Sequence, residues 1–235
     1  MDIFWRLVLS HLIADFTLQT DWINRMKREK FLGVIAHIGV HIVVTTALLI
    51  PYLNIKWFHF MGMDLKGYLI IIILCCLHFL VDQTRIYITK NDIYPDNTLF
   101  FLVDQLFHFY FIFLFTPFLN VSANFLGEKI VVILTFLVLI THTTTVLIYY
   151  IEKDIKNLPF PTFDQKYFMI FERTVIWGLF LLKGKWWLAI LIIWIYQLYY
   201  LKKKKLMDIS DINFYLSVSV SIVFGILSRY CLYSI

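Results

Sequence analysis

Four pairs of ionisable residues, each spaced four apart, lie inside stretches that are otherwise apolar: His11/Asp15, His37/His41, His78/Asp82 and Asp104/His108. Residues at i and i+4 share one helix face, about 5–6 Å apart, so each pair aims two potential ligands in one direction. Imidazole with carboxylate is the donor set of zinc, iron or manganese, and no thiolate belongs to the pattern. The chemistry expected is therefore cation binding, with His11, Asp15, His37, His41, His78, Asp82, Asp104 and His108 as metal ligands. Eight donors exceed one tetrahedral ion and suit two divalent ions with bridging carboxylates and open positions.

The pairs also repeat. His11 to His37 is 26 residues, His78 to Asp104 is again 26, and all four positions of the first set reappear in the second at an offset of 67. HLIAD at 11–15 answers HFLVD at 78–82. A duplicated helical hairpin, residues 3–53 and 66–120, is expected, with its axis along the membrane normal and its four faces meeting at the centre.

The elements that must hold these residues are long and oily. Of 235 residues 60% are hydrophobic and only 16% charged, against about 25% charged in soluble domains. An all-α polytopic transmembrane bundle follows, one domain over 1–235, with 121–235 as peripheral helices. Eight segments are predicted, near 3–20, 31–53, 66–89, 98–120, 129–151, 167–182, 186–201 and 211–234. The sixth and seventh are short and separated only by Lys183-Gly184-Lys185, so they read equally as one re-entrant element. Strands are not expected, since the apolar runs are long and lack sustained alternation.

Lys and Arg concentrate after the odd-numbered segments, at Arg25, Lys27, Arg28, Lys30, at Lys90, at Lys153, Lys156, Lys166, and at Lys202 to Lys205. That side is expected to be cytoplasmic, with both termini outside. Helical rise then puts the eight ligands in one layer of the cytoplasmic half of the bilayer. The basic charge is confined to loops and is no nucleic-acid signal. Cys75, Cys76 and Cys231 form no disulfide or metal framework. MDIFWRLVLS lacks the pattern of a cleaved signal and reads as a retained first helix.

Around the layer, Gln19, Gln105 and His142 are candidate substrate contacts. Arg85 could meet an anionic headgroup, Glu172 could act as base and Arg173 could hold a phosphate; these three are the candidate catalytic residues. His142 also reads as a histidine bonded to its threonine neighbours, Arg85 as a charge reaching the interface, and Glu172-Arg173 as a self-satisfied pair. The expected function is an intramembrane metal-dependent hydrolase acting on a lipid or lipid-linked substrate. The alternatives are a divalent-cation or proton transporter, a di-iron oxidoreductase, and a membrane scaffold for another protein; the layer itself also reads as a metal-free polar network that holds the bundle together.

HLIADFTLQTDW with the later Lys27, the HxxxH at 37–41, HFLVDQTR and FLVDQLFH together resemble a bacterial integral-membrane family catalogued as domain of unknown function 3307. The likeness spans roughly residues 5 to 115, with a weaker echo at Glu172-Arg173. It implies a bacterial inner-membrane setting and no defined activity. Arg85 stands where members of that family carry Lys, which keeps the charge.

Overall fold

A computed structural model describes residues 1–119, 121, 125–207 and 209–234. The described residues are helical apart from two short strands and fall into two compact units, residues 1–131 and 132–235.

The first unit is a ring of four helices with two additions. Helix α1 (Asp2–Leu12) runs into a π-turn at Ile13–Thr17, where Leu18 N–H reaches back five residues to Ile13 O at 2.8 Å. Helices α3 (Phe31–Leu49), α4 (Gly67–Lys90) and α5 (Thr98–Leu114) complete the ring: α1 packs on α3 and α5, and α4 packs between α3 and α5. Helices α3 and α5 begin 67 residues apart, at Phe31 and Thr98. Asn97 caps α5 by accepting from Phe100 N–H at 2.9 Å.

The first addition is α2 (Asp21–Glu29), a polar helix capped by Thr20, which accepts from Ile23 N–H. A Cβ on Gly33 of α3 would lie 2.2 Å from the carbonyl carbon of Met26 and 2.4 Å from Lys27 N, so glycine lets α2 rest backbone to backbone on α3. The second addition is a hairpin, β1 (Lys56–Phe60) with β2 (Met63–Lys66), in the stretch between the second and third predicted segments. Met61 and Gly62 both have positive φ, at 48° and 80°, the backbone of a tight two-residue hairpin turn.

The polarity of the ring is inverted. On α3 the exposed side carries Phe31, Leu32, Ile35, Ile42 and Val43, and the buried side carries His37, His41 and Thr45. Helices α4 and α5 repeat this, with Ile72, Leu80, Leu102 and Leu106 outward. In water the hydrophobic effect would favour the opposite arrangement. Among the described residues four helices, Phe31–Tyr52, Gly67–Lys90, Glu128–Lys156 and Asp211–Tyr233, are long and apolar enough to cross a membrane.

The second unit follows a helix that spans Glu128–Lys156 and is interrupted by a π-turn at Leu139–Thr143, giving α6 (Glu128–Val138) and α7 (Thr144–Lys156). It continues with α8 (Phe163–Phe180), α9 (Trp187–Lys203) and α10 (Asp211–Ser234). Ile176, Phe180, Trp187, Leu191, Leu198 and Phe214 form its core. The Lys183-Gly184-Lys185 stretch separates two distinct helices, because Gly184 turns the chain at φ 87°. Several predicted boundaries shift: the first segment stops at Thr17, the second leaves the α-helix at Leu49, the fourth stops at Leu114, the fifth runs on to Lys156 and the sixth begins at Phe163. Residue 120, the expected end of the fourth segment, lies outside the described residues.

The outer corner of the first unit is fixed by a buried ion pair. Arg6, fully buried, donates to Asp2 Oδ1 at 2.8 Å, to Leu48 O at 3.0 Å, and to the carbonyls of Phe125 and Leu126. Tyr52 donates its hydroxyl to the other Asp2 oxygen. Deleting one partner of a buried pair strands the other charge. Arg6→Met is expected to lower stability by about 3–5 kcal/mol, read as reduced unfolding free energy in detergent, with Asp2→Asn costing less because Tyr52 and the carbonyls still occupy its neighbours.

Candidate metal centre

Each helix of the ring delivers two side chains to its centre. α1 and its π-turn supply His11 and Asp15, α3 supplies His37 and His41, α4 supplies His78 and Asp82, and α5 supplies Asp104 and His108. The seven residues other than Asp15 are each at most 7% exposed, and the Asp15 side chain is 8% exposed. Periodicity explains the α3 to α5 pairs, which stack on one buried face. Asp15 needs the π-turn as well, since the extra residue per turn sets its direction; π-turns of this kind occur often at functional sites.

The donors converge. Asp15 Oδ1 lies 2.7 Å from His41 Nε2, 3.1 Å from His37 Nε2 and 3.5 Å from His78 Nε2. His11 Nε2 lies 3.8 Å from Asp15 Oδ2. Across the ring, Asp82 Oδ2 stands 3.5 Å from both His37 Nε2 and His78 Nε2, and Asp82 Oδ1 stands 3.9 Å from His108 Nε2. His108 Nε2 and Asp104 Oδ1 are 3.8 Å apart, and both are buried without a hydrogen-bond partner among the described residues. Three overlapping groups, each with donors within 4.8 Å of one another, are able to hold a metal ion: His11, Asp15, His41 and His78; His37, His78 and Asp82; Asp82, Asp104 and His108.

A buried nitrogen and a buried carboxylate oxygen without partners carry a desolvation cost that a shared cation would remove. Two ligands on one tetrahedral zinc lie roughly 3.4 Å apart, from bonds of about 2.0–2.1 Å. The 3.8 Å spacing of His108 and Asp104 is a few tenths of an ångström from that value, so the residues present fit the group.

Cations flank the layer where α2 and the 91–97 loop lie. Lys27 Nζ meets Asp82 Oδ2 at 2.7 Å and donates to Gln19 Oε1 at 3.4 Å. Arg85 bridges Asp104 Oδ2, at 2.9 Å, and Asp96 Oδ1, at 2.8 Å; Arg28 closes the chain on Asp96 Oδ2 at 3.1 Å. Gln105 donates to Asp104 Oδ2 at 3.1 Å, and its carbonyl oxygen lies 3.2 Å from His11 Nε2. Gln19, Gln105 and Arg85 thus border the layer. At the other end of the ring, a cavity of about 40 Å³ lies against His11, His41, His78 and His108, walled by Leu7, Ile71, Leu74 and Ile112. Thr45 donates to Ser10 at 3.1 Å there.

The remaining candidates belong to the second unit and bond within it. His142 lies in the π-turn with Nδ1 3.1 Å from Thr141 Oγ1. Arg173, almost wholly buried, donates to Thr141 O at 3.2 Å and to the Thr145 and Ser217 hydroxyls, while Glu172 accepts from Trp194 Nε1 at 2.7 Å. Glu172 and Arg173 therefore do not pair with each other; each has its own neutral partners. His59 sits in the exposed hairpin beside Asp64. Asp96 and the Asp2–Arg6 pair carry no role in the sequence analysis. Arg28 enters there only as a loop charge, and Lys27 only as a loop charge and part of a motif, because the partner of Lys27 is 55 residues away in the chain.

Asp96 gives the flank a pH signature. Burial opposes its ionisation, but Arg85 and Arg28 outweigh it and hold the carboxyl below the usual range. A depressed folded-state pKa adds stability above the unfolded value near 3.9 and loses it as pH falls through the folded value. The parent is expected to be more stable than Asp96→Asn at pH 6, with the gap narrowing as pH falls below the unfolded value near 3.9, as checked by unfolding in detergent across that range.

No curated protein and no solved structure matches this chain. One family model does match, that described as "Protein of unknown function (DUF3307)", over residues 3–132. The matched stretch contains every residue of the layer and its flanking cations, and covers more than half of the sequence. The chain belongs to the DUF3307 family.

Proposed function

We propose that the ring is an intramembrane metal centre holding two divalent ions, and that the protein is a metal-dependent hydrolase of a lipid or lipid-linked substrate. The observation that carries the reading is the pair of buried, unpartnered donors, His108 Nε2 and Asp104 Oδ1, beside a carboxylate on which three imidazoles converge. His11, Asp15, His41 and His78 would hold one ion, and Asp82, Asp104 and His108 the other. His37 would lie between them, in a middle group that shares His78 with the first set and Asp82 with the second.

Bound divalent ions supply Lewis acidity and lower the pKa of water toward neutrality. The chain's own residues would do the rest. Gln105 orients Asp104 and His11 together. The cavity against the imidazoles, with room for roughly three waters, leaves space for a nucleophile where no protein ligand competes. Apolar outward faces on α3, α4 and α5 support a bilayer setting, and the charges of Lys27, Arg28 and Arg85 support a cytoplasmic position for the α2 side. The 67-residue offset shared by the ligands and by the starts of α3 and α5 supports a duplicated hairpin. In that duplication Asp15–His41 corresponds to Asp82–His108, the first pair in contact at 2.7 Å and the second open at 3.9 Å.

A transporter reading draws on the same duplication and on the cavity that opens at the far side of the layer.

Elemental analysis of the purified full chain tests the site: about two ions per chain are expected in the parent, with loss in Asp15→Ala and Asp82→Ala. Metal at 100 times its dissociation constant should add about 2.7 kcal/mol of stability, removed by chelator. A parent that stays metal-free when purified without chelators overturns the reading. Hydrolysis of phosphoester and carboxylic-ester lipids that falls at least 100-fold on chelation favours the enzyme. Metal flux into liposomes without hydrolysis favours transport.

A further inference from the structure

Lys27 and Arg85 raise a question of charge. Three carboxylates lie in the layer, and two of them are matched by these cations: Lys27 on Asp82 at 2.7 Å and Arg85 on Asp104 at 2.9 Å. Asp96, the remaining acid nearby, is shared between Arg85 and Arg28. The layer with its two cations is thus close to neutral before any metal arrives. Two divalent ions add four positive charges to the same carboxylates. Lys27 and Arg85 then face metal across the acids that held them, and a dry, positive site demands an anion.

We propose, resting on the two-ion reading above, that the substrate is a phosphate ester whose anionic phosphoryl group is taken by Lys27 and Arg85. Geometry favours phosphate over other anions. Arg85 presents a planar fork already engaging two separate carboxylates through Nη1 and Nη2, the arrangement that also grips two phosphoryl oxygens. Lys27 adds a point charge from a separate helix. The two grip neighbouring carboxylates, Asp82 and Asp104, which belong to one ligand group. A doubly charged tetrahedral anion can reach both and still meet the ions. A neutral carboxylic ester would bring no negative charge to offset the added ions.

Lys27 is also deliberately seated. Gly33 admits α2 so closely that any Cβ would strike the Met26 carbonyl and Lys27 N. The Lys27 side chain is only 13% exposed, although Arg25, Arg28 and Lys30 on the same short stretch are exposed. A lysine serving only to mark the cytoplasmic side would gain nothing from such close seating.

The test uses the full chain in detergent, loaded with metal, and titrates inorganic phosphate calorimetrically. A second arm uses nanodiscs of phosphatidylcholine with or without phosphatidic acid. Lys27→Gln and Arg85→Gln should each weaken phosphate binding at least tenfold with metal content unchanged. Arg85→Lys should recover part of the loss, and Arg25→Gln should match the parent. Preference for phosphatidic acid over inorganic phosphate assigns a lipid headgroup; preference for inorganic phosphate assigns a soluble ester. A metal-loaded parent that binds neither, or variants that bind phosphate as the parent does, overturns this inference and leaves the metal reading standing. A parent without metal overturns both.

Discussion

Charge cannot stay uncompensated where water is excluded, and that constraint organises the first unit. Asp15, Asp82 and Asp104 sit at the centre of a ring in which α3, α4 and α5 turn apolar faces outward, so each needs a nearby positive or hydrogen-bonding partner. Around Asp15 the partners are imidazoles. Around Asp82 and Asp104 they are Lys27 and Arg85, brought from α2 and from the last turns of α4. The helices could pack by their apolar residues in several registers. Only a register that brings these charges together avoids a penalty of several kcal/mol per ion.

Local devices serve that register. The π-turn at Ile13–Thr17 directs Asp15 toward His41, and Gly33 lets α2 deliver Lys27 at close range. A second π-turn, at Leu139–Thr143, exposes Thr141 O to Arg173. The two units thus handle buried charge differently. The first sets acids against imidazoles and cations, whereas the second surrounds one guanidinium with a carbonyl and hydroxyls. The first arrangement leaves donor atoms unspent and the second largely consumes them, which is why the chemistry proposed here is confined to the first.

Much of this was legible in the sequence because the relevant signal is periodic. A spacing of four puts His37 and His41, or His78 and Asp82, on one face whatever the packing, and the 67-residue offset relates the two sets before any coordinates are known. What was not legible depends on contacts distant in the chain or on backbone departures. α2 carries too much charge to register as a segment, yet it folds because Thr20 caps it and Gly33 receives it. The 56–66 hairpin rests on two positive φ values at Met61 and Gly62, where only the glycine hints at a turn. The fourth segment ends early at Leu114 although apolar residues continue to Phe118, since Thr116 and Pro117 close the helix: the Thr116 hydroxyl donates to Ile112 O, and proline lacks the N–H to extend it. Glu172 and Arg173, adjacent in sequence, point to different partners, a matter of helical rotation that adjacency conceals.

The sharing of His78 and Asp82 among the three donor groups has a consequence of its own. His78 belongs to the first and middle groups and Asp82 to the middle and last, so an ion held at either end would fix a side chain that the middle group also uses. On the two-ion proposal, affinity at one end would then depend on occupancy at the other, and the two ends would respond to free metal as one coupled unit rather than as independent sites.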